Sequence, residues 1–280
     1  MKRVYILSFI GLSMYAISSS NLSKILMQPQ KLFAYNLGIR ILPAKQHDAP
    51  VMICAHGYGA DNQIIDSVRY CSGNAMHLIS FNFPDFNCVA KQYDPKKSSF
   101  GSIQELLPLL YVLKKCVIDG NLSSINLYGF SAGGSAVINT LAVLNHPYYD
   151  DMLANIGISA TDKQKINQAL SKGLIILDCP LKSIDEIMDL CGAPAEFKIL
   201  AERYKSNNMR PIDALLQLSG LSFTILLYFE NPDDILGNRD DALFIERLRK
   251  ANKGVTHVTT GRDGGHNGCH TALWQAYKNL

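Results

Sequence analysis

A serine held among glycines, with an apolar segment before it and small residues after, constrains this chain more than any other feature. Residues 124–145 read SINLYGFSAGGSAVINTLAVLN. The apolar stretch to Phe130 reads as a strand, and the run from Ser131 as a helix rich in alanine and glycine. A strand that turns straight into a helix leaves almost no room around the turn. The residues two before and two after the serine, Gly129 and Gly133, must then be tiny or they collide with neighbouring backbone. Such a turn lifts the Ser131 hydroxyl over the sheet edge, at a helix N-terminus whose dipole favours developing negative charge. Taken alone, the same letters also suit a glycine-rich joint with no chemistry.

The rest of the chain alternates in the same way. KLFAYNLGIRIL (31–42) places Phe33, Tyr35, Leu37, Ile39 and Ile41 on one face of an edge strand, and APVMICAHG (49–57) reads as a buried strand ending in glycine. NQIIDSVRYCSG (62–73) has helical spacing and stops at Gly73. HLISFNFPDFN (77–87) is a strand with its outgoing turn. Residues 101–121 form a helical pattern in which Pro108 marks a kink or the true start. LANIGISA (153–160) and KGLIILDCP (172–180) are both strand candidates, of which one is expected in the central sheet. From 181 to 219 the pattern changes to short helical pieces, after which SFTILLYFENP (222–232) resumes the strands. A helix over 239–254, a last strand in GVTHVTTG and a closing helix over 267–280 complete the chain. Such alternation predicts an α/β architecture, a mostly parallel central sheet with helices on both faces. Ligands in these sheets bind beyond the carboxyl ends of the strands. The loops that begin at His56, Gly129, Asn231 and Thr260 therefore share one edge.

Composition narrows the function classes. With 48% hydrophobic and 18% charged residues and a net charge of +3, the chain has a sizeable core and no basic run that calls for nucleic acid. The seven cysteines are dispersed, contain no CxxC pair and lean towards a reducing compartment. The N-terminus points the other way. A basic MKR precedes an uncharged apolar run, with small residues at Ala16 and Ser18, so residues 1–24 read as a signal peptide or membrane anchor. An anchor would bring residues 4–23 into contact with a membrane, and export or anchoring is favoured over a cytoplasmic location. Residues 25–280 read as one domain.

A serine hydroxyl needs a base, and the base an orienting acid. His266, in the glycine-rich GRDGGHNG loop after the last strand, can swing over Ser131. His257 falls inside a strand and His146 at a helix end, and His47 and His77 fall in exposed connections; all four read as packing or surface positions. His270 stands four residues from His266, a spacing that suits a metal, but HExxH and a third ligand are missing and no metal is expected. The acid belongs after FTILLYF, where Asp233 and Asp234 both qualify, and Glu230 less well. The HGYGA loop (56–60) can turn its N–H groups inward. The backbone N–H groups of Tyr58 and Ala132 are the candidate donors to an oxyanion, with His56 bracing the loop.

HGYG, GFSAGG, NPDDIL and GGHNG, in this order and each after a suitable strand, resemble the α/β-hydrolase family from about residue 31 to the C-terminus. The resemblance implies Ser131 as nucleophile, His266 as base and Asp233 as acid, since Ile235 and Leu236 fit the offset of the family's acid loop. Glu230 in place of the usual glycine, and Gly237 in place of the common proline, keep Asp234 as the alternative acid. The segment 181–219 falls where the family inserts a helical cap. Its apolar residues, among them Ile184, Ile187, Met188, Leu190, Leu215, Leu216 and Leu218, would line an acyl pocket or simply pack the insert down. The activity so implied is cofactor-free cleavage of a small-molecule carboxylic ester or thioester through an acyl-enzyme. Acyl transfer or peptide cleavage on the same triad is the alternative, as is a catalytically silent fold used for binding.

Overall fold

Among the described residues seven strands line up as β1-β3-β2-β4-β5-β6-β7, with β1 antiparallel to β3 and every other neighbour pair parallel. They are β1 Arg40–Leu42, β2 Val51–Ala55, β3 His77–Ser80, β4 Asn126–Phe130, β5 Leu174–Asp178, β6 Thr224–Glu230 and β7 Thr256–Gly261. The computed structural model describes residues 37–83, 103–182, 211–218, 220–233, 241–262, 265–266 and 268–280. The N-terminal segment, Asp234 and residues 183–210 of the expected cap lie outside them. Among the described residues no helix is long and apolar enough to cross a membrane.

The helices cover both faces, and the strand period of two decides which side chains meet them. Ile53, Leu127, Ile175, Leu177, Ile225 and Leu227 point to one face. There they pack with residues of α2 Ile103–Lys114, α3 Ala132–Asn145, α5 Ala160–Ser171, α6 Pro211–Gln217 and α7 Ala242–Ala251. Met52, Cys54, Leu78, Tyr128, Ile176, Leu226 and Tyr228 point to the other, against Ile65 and Val68 of α1 Ile64–Ser72 and Leu273 and Trp274 of α8 Thr271–Lys278. Leu215 and Leu218 are buried in the first of these cores, whereas Leu216 is 60% exposed. This end of the expected insert therefore packs onto the domain.

Three expectations change. LANIGISA is not a strand: α4 Asp150–Asn155 occupies its start, Gly157 turns the chain at φ 76°, and α5 begins just after Ser159. The Ser159 hydroxyl accepts the Asp162 N–H while the Asp162 carboxylate accepts the Ser159 N–H, a capping box that starts a helix where apolar residues alone suggest a strand. The helix expected over 101–121 runs unbroken through Pro108 and ends at Lys114, continuing as one wide turn from Lys115 to Asp119. His77, read as exposed, is buried as the first residue of β3: its Nδ1 accepts the Ala44 N–H and its Nε2 donates to the His47 carbonyl.

Candidate active site

Ser131 sits between the last residue of β4 and the first of α3, with φ 51° and ψ −119°. This left-handed conformation costs an L-residue about 1–3 kcal/mol and persists only where the surroundings impose it. Here they do. Ser131 N–H donates to the Asp178 carbonyl at 2.9 Å, and Ser131 O accepts from Ser135 N–H at 3.1 Å. A Cβ on Gly133 would lie 2.3 Å from the Ala55 carbonyl oxygen, and one on Gly129 would lie 2.7 Å from Gly134 Cα. Both glycines are required by close backbone approach, as the steric reading of the turn expects.

Four loops meet at this edge. His266, between β7 and α8, brings Nε2 to 2.7 Å from Ser131 Oγ and Nδ1 to 2.7 Å from Asp233 Oδ2. Asp233 follows β6 and is buried, and the His266 ring leans on Phe130 with ring centres 5.0 Å apart. A hydroxyl, an imidazole and a carboxylate thus stand in hydrogen-bonded series, an arrangement that can pass a proton from the hydroxyl to the ring. Asp234 lies outside the described residues.

The loop after β2 passes over Ser131. A Cβ on Gly57 would be 3.2 Å from Ser131 Cβ and 2.9 Å from the Phe130 ring. Tyr58 follows in a turn closed by Ala60 N–H to the Gly57 carbonyl, and Ala132 is fully buried at the first turn of α3. His56 holds this loop. Its Nδ1 donates to the Gly57 carbonyl at 2.8 Å and its Nε2 accepts the Phe83 N–H at 3.2 Å. Burial pushes His56 down to about 4, against the Gly57 hydrogen bond and the Asp61 charge, so the ring is neutral, and each of its nitrogens is bonded to backbone.

A second Asp–His pair lies beneath the first and escaped the sequence reading. His270 Nδ1 is 2.6 Å from Asp178 Oδ1 at the end of β5, and His270 Nε2 is 2.7 Å from the Gly265 carbonyl. Asp178 Oδ2 also accepts from the Tyr128 hydroxyl and from Cys269 N–H, both at 2.7 Å. Glu230 turns towards this group instead of His266. It accepts from the Tyr228 hydroxyl at 2.5 Å and from Gly265 N–H at 3.4 Å, and its carboxylate is 3.9 Å from His270 Nε2. The signal that marks Asp178 in the sequence is a lone carboxylate closing the apolar run LIILD at the carboxyl end of a buried strand.

Cys179, with φ 47°, stands between the pairs and accepts the Glu230 N–H at 3.3 Å. With Asp178 and His270, or with Asp233 and His266, it brings three ligand-type atoms within 4.8 Å of one another. The nitrogen–oxygen separations of 2.6 and 2.7 Å inside these groups are those of a shared proton. Ligands about 2 Å from a common zinc ion stand about 3 Å apart or more.

No protein-family model matches the sequence, and no curated protein sequence matches it. Solved structures do. Esterase B of Lactobacillus rhamnosis (HN001) superposes with a TM-score of 0.57 at 12% identity, over 84% of this chain and 73% of its own. The carboxylesterase Cest-2923 of Lactobacillus plantarum WCFS1 gives 0.55 at 14% identity, over 88% and 91%. An acylaminoacyl peptidase gives 0.60 at 11% identity, over 88% of this chain and 39% of its own. At such identities the likeness establishes architecture alone, and the architecture that this chain shares with those esterases and that peptidase is the α/β-hydrolase fold.

Proposed function

We propose that the protein is a serine hydrolase that cleaves a carboxylic ester or thioester through an acyl-enzyme. The observation that carries this reading is the continuous hydrogen-bonded series Ser131–His266–Asp233, with the serine on a strained strand-to-helix turn. Ser131 Oγ attacks the substrate carbonyl as His266 Nε2 takes its proton. Asp233 holds Nδ1–H and stabilises the imidazolium that forms. The oxyanion lies against the N–H groups of Ala132 and Tyr58, each worth about 3 kcal/mol in the transition state. His266 then protonates the leaving group, and water, deprotonated by the same ring, releases the acid. This chemistry needs no cofactor.

Esters of graded acyl length, offered to the wild type and to Ser131→Ala, test the reading. Turnover by the wild type that peaks at one chain length and disappears in the variant supports it; equal turnover by both removes it. The likeness to a peptidase favours one second reading, cleavage of an amide by the same Ser131. A blocked peptide amide run beside the best ester separates the two. A silent fold used for binding would leave Ser131 unlabelled by a fluorophosphonate.

A further inference from the structure

Both ring nitrogens of His270 face groups that only accept: the Asp178 carboxylate at 2.6 Å and the Gly265 carbonyl at 2.7 Å. A neutral imidazole carries one N–H, so two such bonds require the imidazolium. Burial works against that charge. The hydrogen bond and charge of Asp178, the Gly265 carbonyl and the charge of Glu230 outweigh it and hold His270 up at about 9. The Tyr228 ring stacks on the imidazole with centres 4.5 Å apart. Cys179 lies within reach from the end of β5, and Cys269 precedes His270 in the chain with its thiol 3.6 Å from the Tyr128 hydroxyl. Burial and Asp178 push Tyr128 well above its ordinary value, so it stays a donor to the carboxylate.

Four side chains of this group bond the backbone of the segment that carries His266. Glu230 takes Gly265 N–H, His270 holds the Gly265 carbonyl, and Asp178 with Tyr128 takes Cys269 N–H. The segment needs such anchors, because Gly265, Gly268 and Cys269 have φ of 97°, 70° and 56° and no strand ladder holds them. Gly265 is bonded directly to His266, so where its carbonyl is held determines where the His266 ring begins.

We propose that His270 is a positioning residue, an imidazolium bridging Asp178 to the Gly265 carbonyl, that fixes the loop of His266 and so holds its Nε2 against Ser131. The inference rests on His266 acting as the base in the proposed function. When His270 loses a proton, Asp178 keeps the remaining N–H and Gly265 loses its donor. The loop then loosens, and a shift of about 1 Å at a reacting group costs about 100-fold in rate.

The test follows the His270 ring by nitrogen-15 NMR on the full chain, in the wild type and in Asp178→Asn, from mild acid to strong alkali. Ester kcat and KM are measured over the same range. The expected wild type shows a doubly protonated ring at neutral pH, loss of a proton near 9, and kcat falling with it at steady KM. Asp178→Asn should move both the ring titration and the alkaline limb to lower pH, with kcat down about 100-fold above the new limb. His270→Gln, whose amide nitrogen can still reach the Gly265 carbonyl, should retain more activity than His270→Ala. A singly protonated His270 at neutral pH overturns the proposal, as does an alkaline limb that Asp178→Asn leaves in place. Failure of the hydrolase reading has a different signature: Ser131 of the wild type takes no fluorophosphonate at any pH while the ring titrates as expected, and the catalytic role of the clamp then falls with it.

Discussion

The two Asp–His pairs use the same groups at nearly the same distance and differ in their third partner. His266 meets Asp233 at 2.7 Å and a serine hydroxyl at 2.7 Å, whereas His270 meets Asp178 at 2.6 Å and a backbone carbonyl at 2.7 Å. A hydroxyl can donate as well as accept, so a single ring N–H on His266 is enough to satisfy both of its bonds. A carbonyl cannot donate, so His270 is satisfied only when it carries both protons. On the proposed reading, one imidazole gains a proton during the reaction, while the other holds its charge at neutral pH. The lesson is that an Asp–His pair is defined by what stands on its far side, not by the pair itself.

Substitutions can break this contrast. The largest effect belongs to Ser131→Ala, which should lower ester kcat by about four to six orders of magnitude while circular dichroism and melting stay close to the wild type. Next, Asp233→Asn should cost about 10,000-fold, because the imidazole loses its tautomeric control and the stabilisation of its charged form. The Asp178→Asn loss of about 100-fold is the smaller partner of that comparison. Similar losses from the two would mean that the pairs share one role. A smaller effect is expected from Gly133→Ala, whose Cβ would press within 2.3 Å of the Ala55 carbonyl. Overpacking of this kind destabilises by about 1–3 kcal/mol, read as a lower midpoint in urea.

The smallest effect is a slope. His270 is raised in the folded chain from 6.5 to about 9, so its contribution to stability is full below about 6.5 and is lost as pH rises through about 9. Urea midpoints taken across that window should decline with pH in the wild type and more weakly in Asp178→Asn. A wild-type midpoint that rises there would contradict the charged clamp.

Much of the architecture is legible in the chain because it is built from local periods. VMICA, and the ILLYF at the centre of TILLYFE, are unbroken apolar runs because both faces of the sheet are covered, and their shortness marks them as strands. The candidate site is legible for a related reason: the turn at Ser131 demands glycine at fixed offsets, and loops at the carboxyl ends of parallel strands converge. Where the sequence misleads, a competing local bond wins. The Ser159–Asp162 capping box turns an apolar stretch into the start of a helix. His77 reads as a connection but is drawn into β3 by the carbonyl and N–H groups around it.

The sequence by itself determined the strand–helix alternation, the edge at which chemistry can occur and the residue types that meet there, since each follows from spacing along one chain. Only the tertiary structure decided which described carboxylate meets which histidine. Asp178 ends β5 and Asp233 follows β6, and Glu230 stands three residues before Asp233 yet faces His270. Distance through space and the donor or acceptor character of a third partner settle such pairings, and neither is encoded in the order of residues along the chain.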